Sequence, residues 1–239
     1  MKPILLGTAI IALLFSSCDI ITKRSVKGNG QHTTQTRSIG TADKIKLHGS
    51  MNIDLIPGDG PGIKVIADEN LQEYVETKNE NGWLVIKVKD DYSLRSDNDI
   101  KVEITTATLR NLDIAGSGDV NGKGKFSGAD KLDIDLAGNS EVSLEVNTPS
   151  VSVNIAGSGD VEITGETRSL DIDIAGSGDF KGEKLMAEKA SVSIAGSGNA
   201  EIFADNELKV DVVGSGDVYY KGNATVKSNI MGSGKVEKR

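Results

Sequence analysis

Along the second half of the chain apolar and polar residues alternate with a period of two, and a glycine interrupts the alternation at regular intervals. Two residues before Gly116, Gly138, Gly157, Gly176, Gly196, Gly214 and Gly232 stand Ile114, Leu136, Ile155, Ile174, Ile194, Val212 and Ile230. The residue four before is again mostly apolar (Val153, Ile172, Val192, Val210), and four after come Val120, Val142, Val161, Phe180, Ala200, Val218 and Val236. Between them lie Asp113, Asp133 and Asp135, Ser152 and Asn154, Asp171 and Asp173, Ser191 and Ser193, and Asp211. Successive side chains of a strand point to opposite faces, so each unit is predicted to be a strand, a tight corner and a second strand with one face inside.

The corner reads Ala-Gly-Ser-Gly-Asp-Val at 115–120 and returns at 156–161, 175–180, 195–200, 213–218 and 231–236, with a worn copy, Ala-Gly-Asn-Ser-Glu-Val, at 137–142. Steps between the first glycines are 22, 19, 19, 20, 18 and 18 residues, which is the period of a solenoid. An antiparallel meander would use Gly-Ser-Gly as hairpin loops, whereas a parallel β-helix would use it once per coil. The third, polar segment of each period, such as 164–168, can turn another corner, and near-identical columns suit coils stacked in register. The expected fold is therefore mainly β: a three-sided parallel β-helix of about seven coils of 18–22 residues over 107–239.

Upstream, His48-Gly49-Ser50-Met51-Asn52-Ile53 aligns with 115–120 as an eroded first copy, and 67 residues separate Gly49 from Gly116. That interval holds a turn cluster at 58–62, a strand at 63–67, a helical turn at 70–75, a hairpin about 79–82, a polar loop at 90–98 and a strand at 100–105. Residues 42–106 are thus expected to form an N-terminal β region that covers one end of the stack.

The first residues change the picture of where the chain resides. Lys2, an apolar run over 4–15 and Ser16-Ser17-Cys18 make a secretory signal over 1–17. Leu14-Phe15-Ser16-Ser17-Cys18 resembles the lipobox of bacterial lipoproteins, with Phe15 where Leu is usual; it implies lipidation of Cys18 as the mature N-terminus. The alternative is an ordinary signal peptide followed by a free thiol. Cys18 is the only cysteine, which excludes an internal disulfide. Residues 18–41 are polar without periodicity and are expected to be a flexible tether.

Lys+Arg number 27 against 35 Asp+Glu, a net charge of −8, and nucleic acid is excluded as a partner because it requires a basic footprint. Aromatics make up 4% of the chain, so thin layers of Val, Ile, Leu and Ala are expected to form the core. Within the corners Asp119, Glu141, Asp160, Asp179, Asn199, Asp217 and Lys235 form one column. A solvent-facing ladder that needs no metal is the expectation. Calcium held between coils by Asp119, Asp160, Asp179 and Asp217 is the alternative, and the spacing departs from the calcium β-rolls, where Asp does not directly follow the glycine.

No Lys follows the glycine corner and no helix starts there, so it is not a phosphate cradle. His32 and His48 with one cysteine make neither a metal cluster nor a triad; no catalytic residue, cofactor or metal is expected. Trp83 could stack on a sugar, although a lone tryptophan in an alternating strand suits a core.

Lys44-Ile45-Lys46-Leu47-His48-Gly49, Ala67-Asp68-Glu69-Asn70-Leu71, Asn81-Gly82-Trp83-Leu84-Val85-Ile86 and the Gly-Ser-Gly-Asp corners together resemble the head GIN domain family of bacterial auto-transporter adhesins, over about residues 40–236. The resemblance implies a right-handed β-helix, a Bacteroidetes lipoprotein or secreted protein, and no catalytic residues. The expected function is a lipid-anchored cell-envelope protein, an outer-membrane adhesin or scaffold, whose partners are the membrane through its lipid and a polysaccharide or protein ligand. A carbohydrate-active enzyme or sugar-binding module is the alternative; a long loop between coils would favour it.

Overall fold

A computed structural model describes residues 23–239 except 39, 41, 60 and 61. Cys18, the signal segment and the start of the tether lie outside the described residues. The repeats form a parallel β-solenoid of about seven turns. Its leading strands, those before each glycine, pair in parallel from Asn111–Gly116 through Lys131–Gly138, Ser150–Gly157 and onward to Thr225–Gly232. Gly116, Gly138, Gly157, Gly176, Gly196, Gly214 and Gly232 stand in one unbroken register.

Trailing strands stack likewise, Val120 on Val142, Val142 on Val161, Val161 on Phe180, and Phe180 on Ala200. Among the described residues, register shifts occur here and on the third side, at Asn121/Lys125, Glu162/Gly165, Gly182/Met186 and Ala187/Lys189. Coils of different length are therefore accommodated by bulges away from the corner, which keeps the corner and the leading face regular. The third side is short and bends at Gly165, whose φ is 115°; Thr148, Thr167, Ala187 and Ala204 are buried along it.

Between the faces Val, Ile, Leu and Ala fill the interior, with Ile134, Val153, Val161, Val142 and Leu208 fully buried. Phe126 and Phe180 are the largest of these buried side chains, so the core is built from thin aliphatic layers as the composition implies. Each layer excludes water only when a neighbour covers it, which is why the coils stand together.

The eroded copy is a true coil. Lys44–Gly49 pairs in parallel with Asn111–Gly116, Gly49 against Gly116, and Ile53 pairs with Val120. Residues 42–106 are, however, more than a cover. Trp83–Val88 and Lys101–Thr106 form a further parallel layer on the outer side of the 44–57 coil, Ile86 against Leu47 and Val102 against Ile53. The coil that comes first in the chain is thus enclosed between later ones.

Reversed strands then close that end: Gly62–Asp68 runs antiparallel to Lys101–Thr106, and Val75–Glu80 antiparallel to Trp83–Val88. A 3-10 turn, Glu69–Tyr74, joins them. The hairpin turns on Asn81 and Gly82, both at positive φ (51° and 81°), the Asn-Gly chemistry of a tight two-residue loop. The tether expectation is corrected over its second part: Arg24–Lys27 pairs in parallel with Tyr92–Arg95, and His32–Arg37 runs antiparallel to Gly62–Asp68. The reason is polar. Arg37 donates to Val75 O (2.6 Å) and Gln72 O (2.8 Å), Gln72 Nε2 donates to Thr33 O (3.0 Å), and Asn70 Nδ2 donates to Lys27 O (2.9 Å). The loop expected at 90–98 likewise contains the strand Tyr92–Arg95.

Candidate functional site

The repeated corner is where sequence and structure coincide most closely. From Gly49 to Gly214 the carbonyl of each corner glycine accepts an N–H from the next coil: Ser117 N donates to Gly49 O (3.0 Å), Asn139 N to Gly116 O (2.9 Å) and Ser158 N to Gly138 O (3.0 Å). Ser177, Ser197, Ser215 and Ser233 repeat the bond at 2.8–2.9 Å. Gly116 to Gly232 all sit at positive φ, between 129° and 146°, where side chains are strained. A Cβ on any of them would come closer than 3.0 Å to the preceding glycine's carbonyl oxygen. Close stacking of the corners leaves room for no other residue.

The acidic column caps backbone as well as facing water. Asp119 Oδ1 accepts Glu141 N (3.0 Å), Asp160 Oδ1 accepts Asp179 N (3.1 Å), Asp179 Oδ1 accepts Asn199 N (2.8 Å), Asn199 Oδ1 accepts Asp217 N (3.1 Å), and Asp217 Oδ1 accepts Lys235 N (3.1 Å). The relay begins at Asn52, whose Oδ1 accepts Asp119 N (3.1 Å). It breaks at Glu141, one methylene longer, where Asp160 N turns to the backbone carbonyl of Ser140 (3.0 Å). Ser140, which replaces the second glycine in the worn copy, is buried.

Lys181 sits against the column with Nζ 2.7 Å from Asp160 Oδ2, and its ammonium is held above the usual lysine range by that hydrogen bond. Among the described residues no three His, Cys, Asp or Glu side chains converge as metal ligands. The column could offer a cation only the carboxylate oxygens that its N–H bonds leave over.

On the outer leading face Asp135 pairs with Asn154, Asn154 with Asp173, Asp173 with Ser193 and Ser193 with Asp211. Asn154 Nδ2 donates to Asp135 Oδ1 (2.7 Å), so neutral coils separate the charges and tie them together. Next to this stripe Ala137, Ala156, Ala175, Ala195, Val213 and Met231 lie exposed. Trp83 is half-buried, with Lys46 Nζ 4.9 Å from its ring centroid, and His32 and His48 are on the surface in separate strands, His32–Arg37 and Lys44–Gly49.

Sequence reasoning gave no sign of a cleft at the capped end. A cleft of about 480 Å³ lies at the capped end, lined by residues that include His48, Ser50, Lys87 and Tyr92. Its only signal in the sequence is a negative one: the 83–106 layer has a polar detour where the other coils have Gly-Ser-Gly.

A glycine-cornered parallel solenoid with an antiparallel cap at one end defines the class of protein. The family model described as "Putative auto-transporter adhesin, head GIN domain" matches residues 42–224, and the chain belongs to that family. Its fold matches a crystal structure of a "putative adhesin" from Bacteroides fragilis NCTC 9343, with a TM-score of 0.85 at 20% identity, covering 90% of this chain and 100% of that one. Two structures from Parabacteroides distasonis ATCC 8503 are also similar over 90% of this chain and 100% of theirs: a "putative lipid binding protein" (TM-score 0.68, 28% identity) and a "putative adhesin" (TM-score 0.66, 26% identity). No curated protein matches the sequence.

Proposed function

We propose that the chain is a lipid-anchored cell-envelope protein whose solenoid is a rigid surface for adhesion, without catalysis. Family membership supports adhesion, and the observation that carries it here is the unbroken leading-face register, which sets Asp135, Asn154, Asp173, Ser193 and Asp211 in line. Successive members lie at the strand spacing of about 4.8 Å, a repeat that a polysaccharide or an extended protein segment can follow. No helix among the described residues is long and apolar enough to cross a membrane, and in this reading the membrane is reached through the Cys18 lipid.

Three measurements test the reading. A fatty-acid probe should label the wild type and not Cys18→Ala, and protease added to intact cells should remove the protein. Asp173→Lys with Asp211→Lys should abolish attachment of the cells to their surface ligand while the purified protein keeps its melting temperature. Label retained in Cys18→Ala would defeat the anchor; undiminished attachment would defeat the leading face as the adhesive surface. In the same reading the acidic column is a capping ladder that works without a metal, and the carboxylates of Asp119, Asp160, Asp179 and Asp217 serve the backbone.

A further inference from the structure

The glycine ladder starts at Gly49, and the layer before it presents no corner. There Trp83–Val88 runs on to Lys89, whose N–H donates to Tyr74 O (2.8 Å), and the chain turns at Asp91, at a φ of 67°, into Tyr92–Arg95. This strand leaves the main sheet and pairs with Arg24–Lys27. The detour leaves the cleft of about 480 Å³, with Lys23, His48, Ser50, Lys87, Tyr92 and Ser93 around it and Val88 and Leu94 as its apolar surface. In the later coils the N–H that follows the corner glycine is spent on the preceding glycine's carbonyl. The N–H of Ser50 has no such partner among the described residues, and Ser50 lines the cleft.

We propose that this cleft binds a carboxylated saccharide unit. Its volume falls in the range of small-ligand sites and suits one or two sugar rings. Donors dominate the lining: the ammonium groups of Lys23 and Lys87, the hydroxyls of Ser50, Tyr92 and Ser93, and the Ser50 N–H. The one carboxylate in the lining, Asp90, is held on Lys87, with Nζ 3.0 Å from Oδ1 and 2.9 Å from Oδ2, and Glu76 Oε2 lies 4.0 Å from the same Nζ outside the lining.

Asp90 is 83% exposed at its side chain, so it can swing aside while a ligand carboxylate takes over Lys87. Two lysines at one opening favour an anion. The hydroxyls and the apolar surface of Val88 and Leu94 match the other features of a sugar ring, its hydroxyl edge and its C–H face. This site lies at the capped end, apart from the outer solenoid face, and its occupation does not depend on what that face binds.

Calorimetry on the full chain with digalacturonate, the neutral disaccharide digalactose and inorganic phosphate tests the proposal. Digalacturonate should bind, and digalactose and phosphate should each bind at least about tenfold more weakly, the loss expected when one charge-assisted bond or the sugar contacts are missing. Lys87→Gln should weaken digalacturonate binding by about tenfold or more, Asp90→Asn should tighten it by removing the competing carboxylate, and Lys184→Gln, remote on the trailing face, should leave it unchanged. Circular dichroism melts establish that each variant is folded, and Lys23→Gln serves should Lys87→Gln not fold. Absence of digalacturonate binding, phosphate binding as tightly as the sugar acid, or equal binding by Lys87→Gln and wild type would overturn the proposal.

Discussion

From Asn111 to Lys221 each coil is positioned by the one before it: a glycine carbonyl and an aliphatic layer recur at the same places, with an Asp or Asn side chain in every corner but that of Glu141. In the cap, over 24–37 and 62–95, the strands pair in local ladders that do not recur along the chain, and single side-chain bonds tie those ladders together. Arg37 reaches Gln72 and Val75, Asn70 reaches Lys27, and Asp68 accepts from Ser96 Oγ (2.6 Å) and Asn98 Nδ2 (3.1 Å). The solenoid spreads its stability over many equivalent bonds, so damage at one coil is felt by both neighbours. The cap concentrates it in a few, so it should come loose alone. This is the difference between a one-dimensional array and a locally closed unit.

The largest effect should come from breaking the ladder. Gly176→Ala combines positive φ with a collision against the Gly157 carbonyl, the same oxygen that accepts Ser177 N. It should cost about 3 kcal/mol or more in denaturant unfolding, strain and overpacking together. Gly49→Ala shares the positive φ (117°) but meets nothing within 4 Å, and should cost only about 1–2 kcal/mol. Equal losses would show that the carbonyl contact between coils is not what requires glycine.

The contrast also decides what was legible in the sequence. Periodicity exposes what periodicity creates, so the strands, the corner, the parallel stacking and even the eroded copy at Gly49 could be read from the residues. Three features could not. Residues 24–37 looked like tether because their pairing rests on backbone and on Arg37, Gln72 and Asn70, with no apolar alternation to report it. The stacking of 83–106 outside 44–57 is a choice of order that local pattern does not encode. The capping role of the acidic column was hidden because Asp beside glycine suits both a solvated turn and a backbone acceptor; only the recurring Oδ1 bonds separate the two.

Next in size is the cap's own anchor. Arg37→Ala leaves Gln72 O and Val75 O without their charged donor and should cost about 2 kcal/mol locally. Hydrogen exchange should speed up across 62–80 and 32–37, while the amides of 150–157 and 169–176 keep their protection. Faster exchange in both regions would mean that cap and solenoid unfold as one.

Acid should separate the regions in the same order. Asp68 is buried and its carboxyl is held below the usual carboxylate range, first by the Ser96 hydrogen bond and also by Asn98 and the Gly30 backbone, against the opposing effect of desolvation. A depressed folded value means that its contribution is fully present above the unfolded carboxylate value of about 4 and is lost as pH falls through the folded one. Below about pH 4 the cap's exchange should rise before the solenoid's, and Asp68→Asn should remove that early step. An acid response unchanged in Asp68→Asn would place the sensitivity elsewhere.

The smallest effect tests how the solenoid uses its acidic column. Asp160→Asn keeps an Oδ1 acceptor for Asp179 N, as Asn199 already does for Asp217 N, and gives up the ion pair with the half-exposed Lys181. An exposed pair is worth about 0–1 kcal/mol, so the variant should lie within about 0.5 kcal/mol of wild type. Asp160→Ala removes the acceptor itself and should cost about 1 kcal/mol, the worth of a side-chain cap on a backbone N–H. Chelation of divalent ions should leave the melting temperature of all three proteins where it was. The ordering Ala below Asn, with Asn near wild type, is particular to a capping column. If carboxylate charge were needed to hold calcium between coils, Asn would be as damaging as Ala and chelation would lower the wild-type melting temperature to theirs.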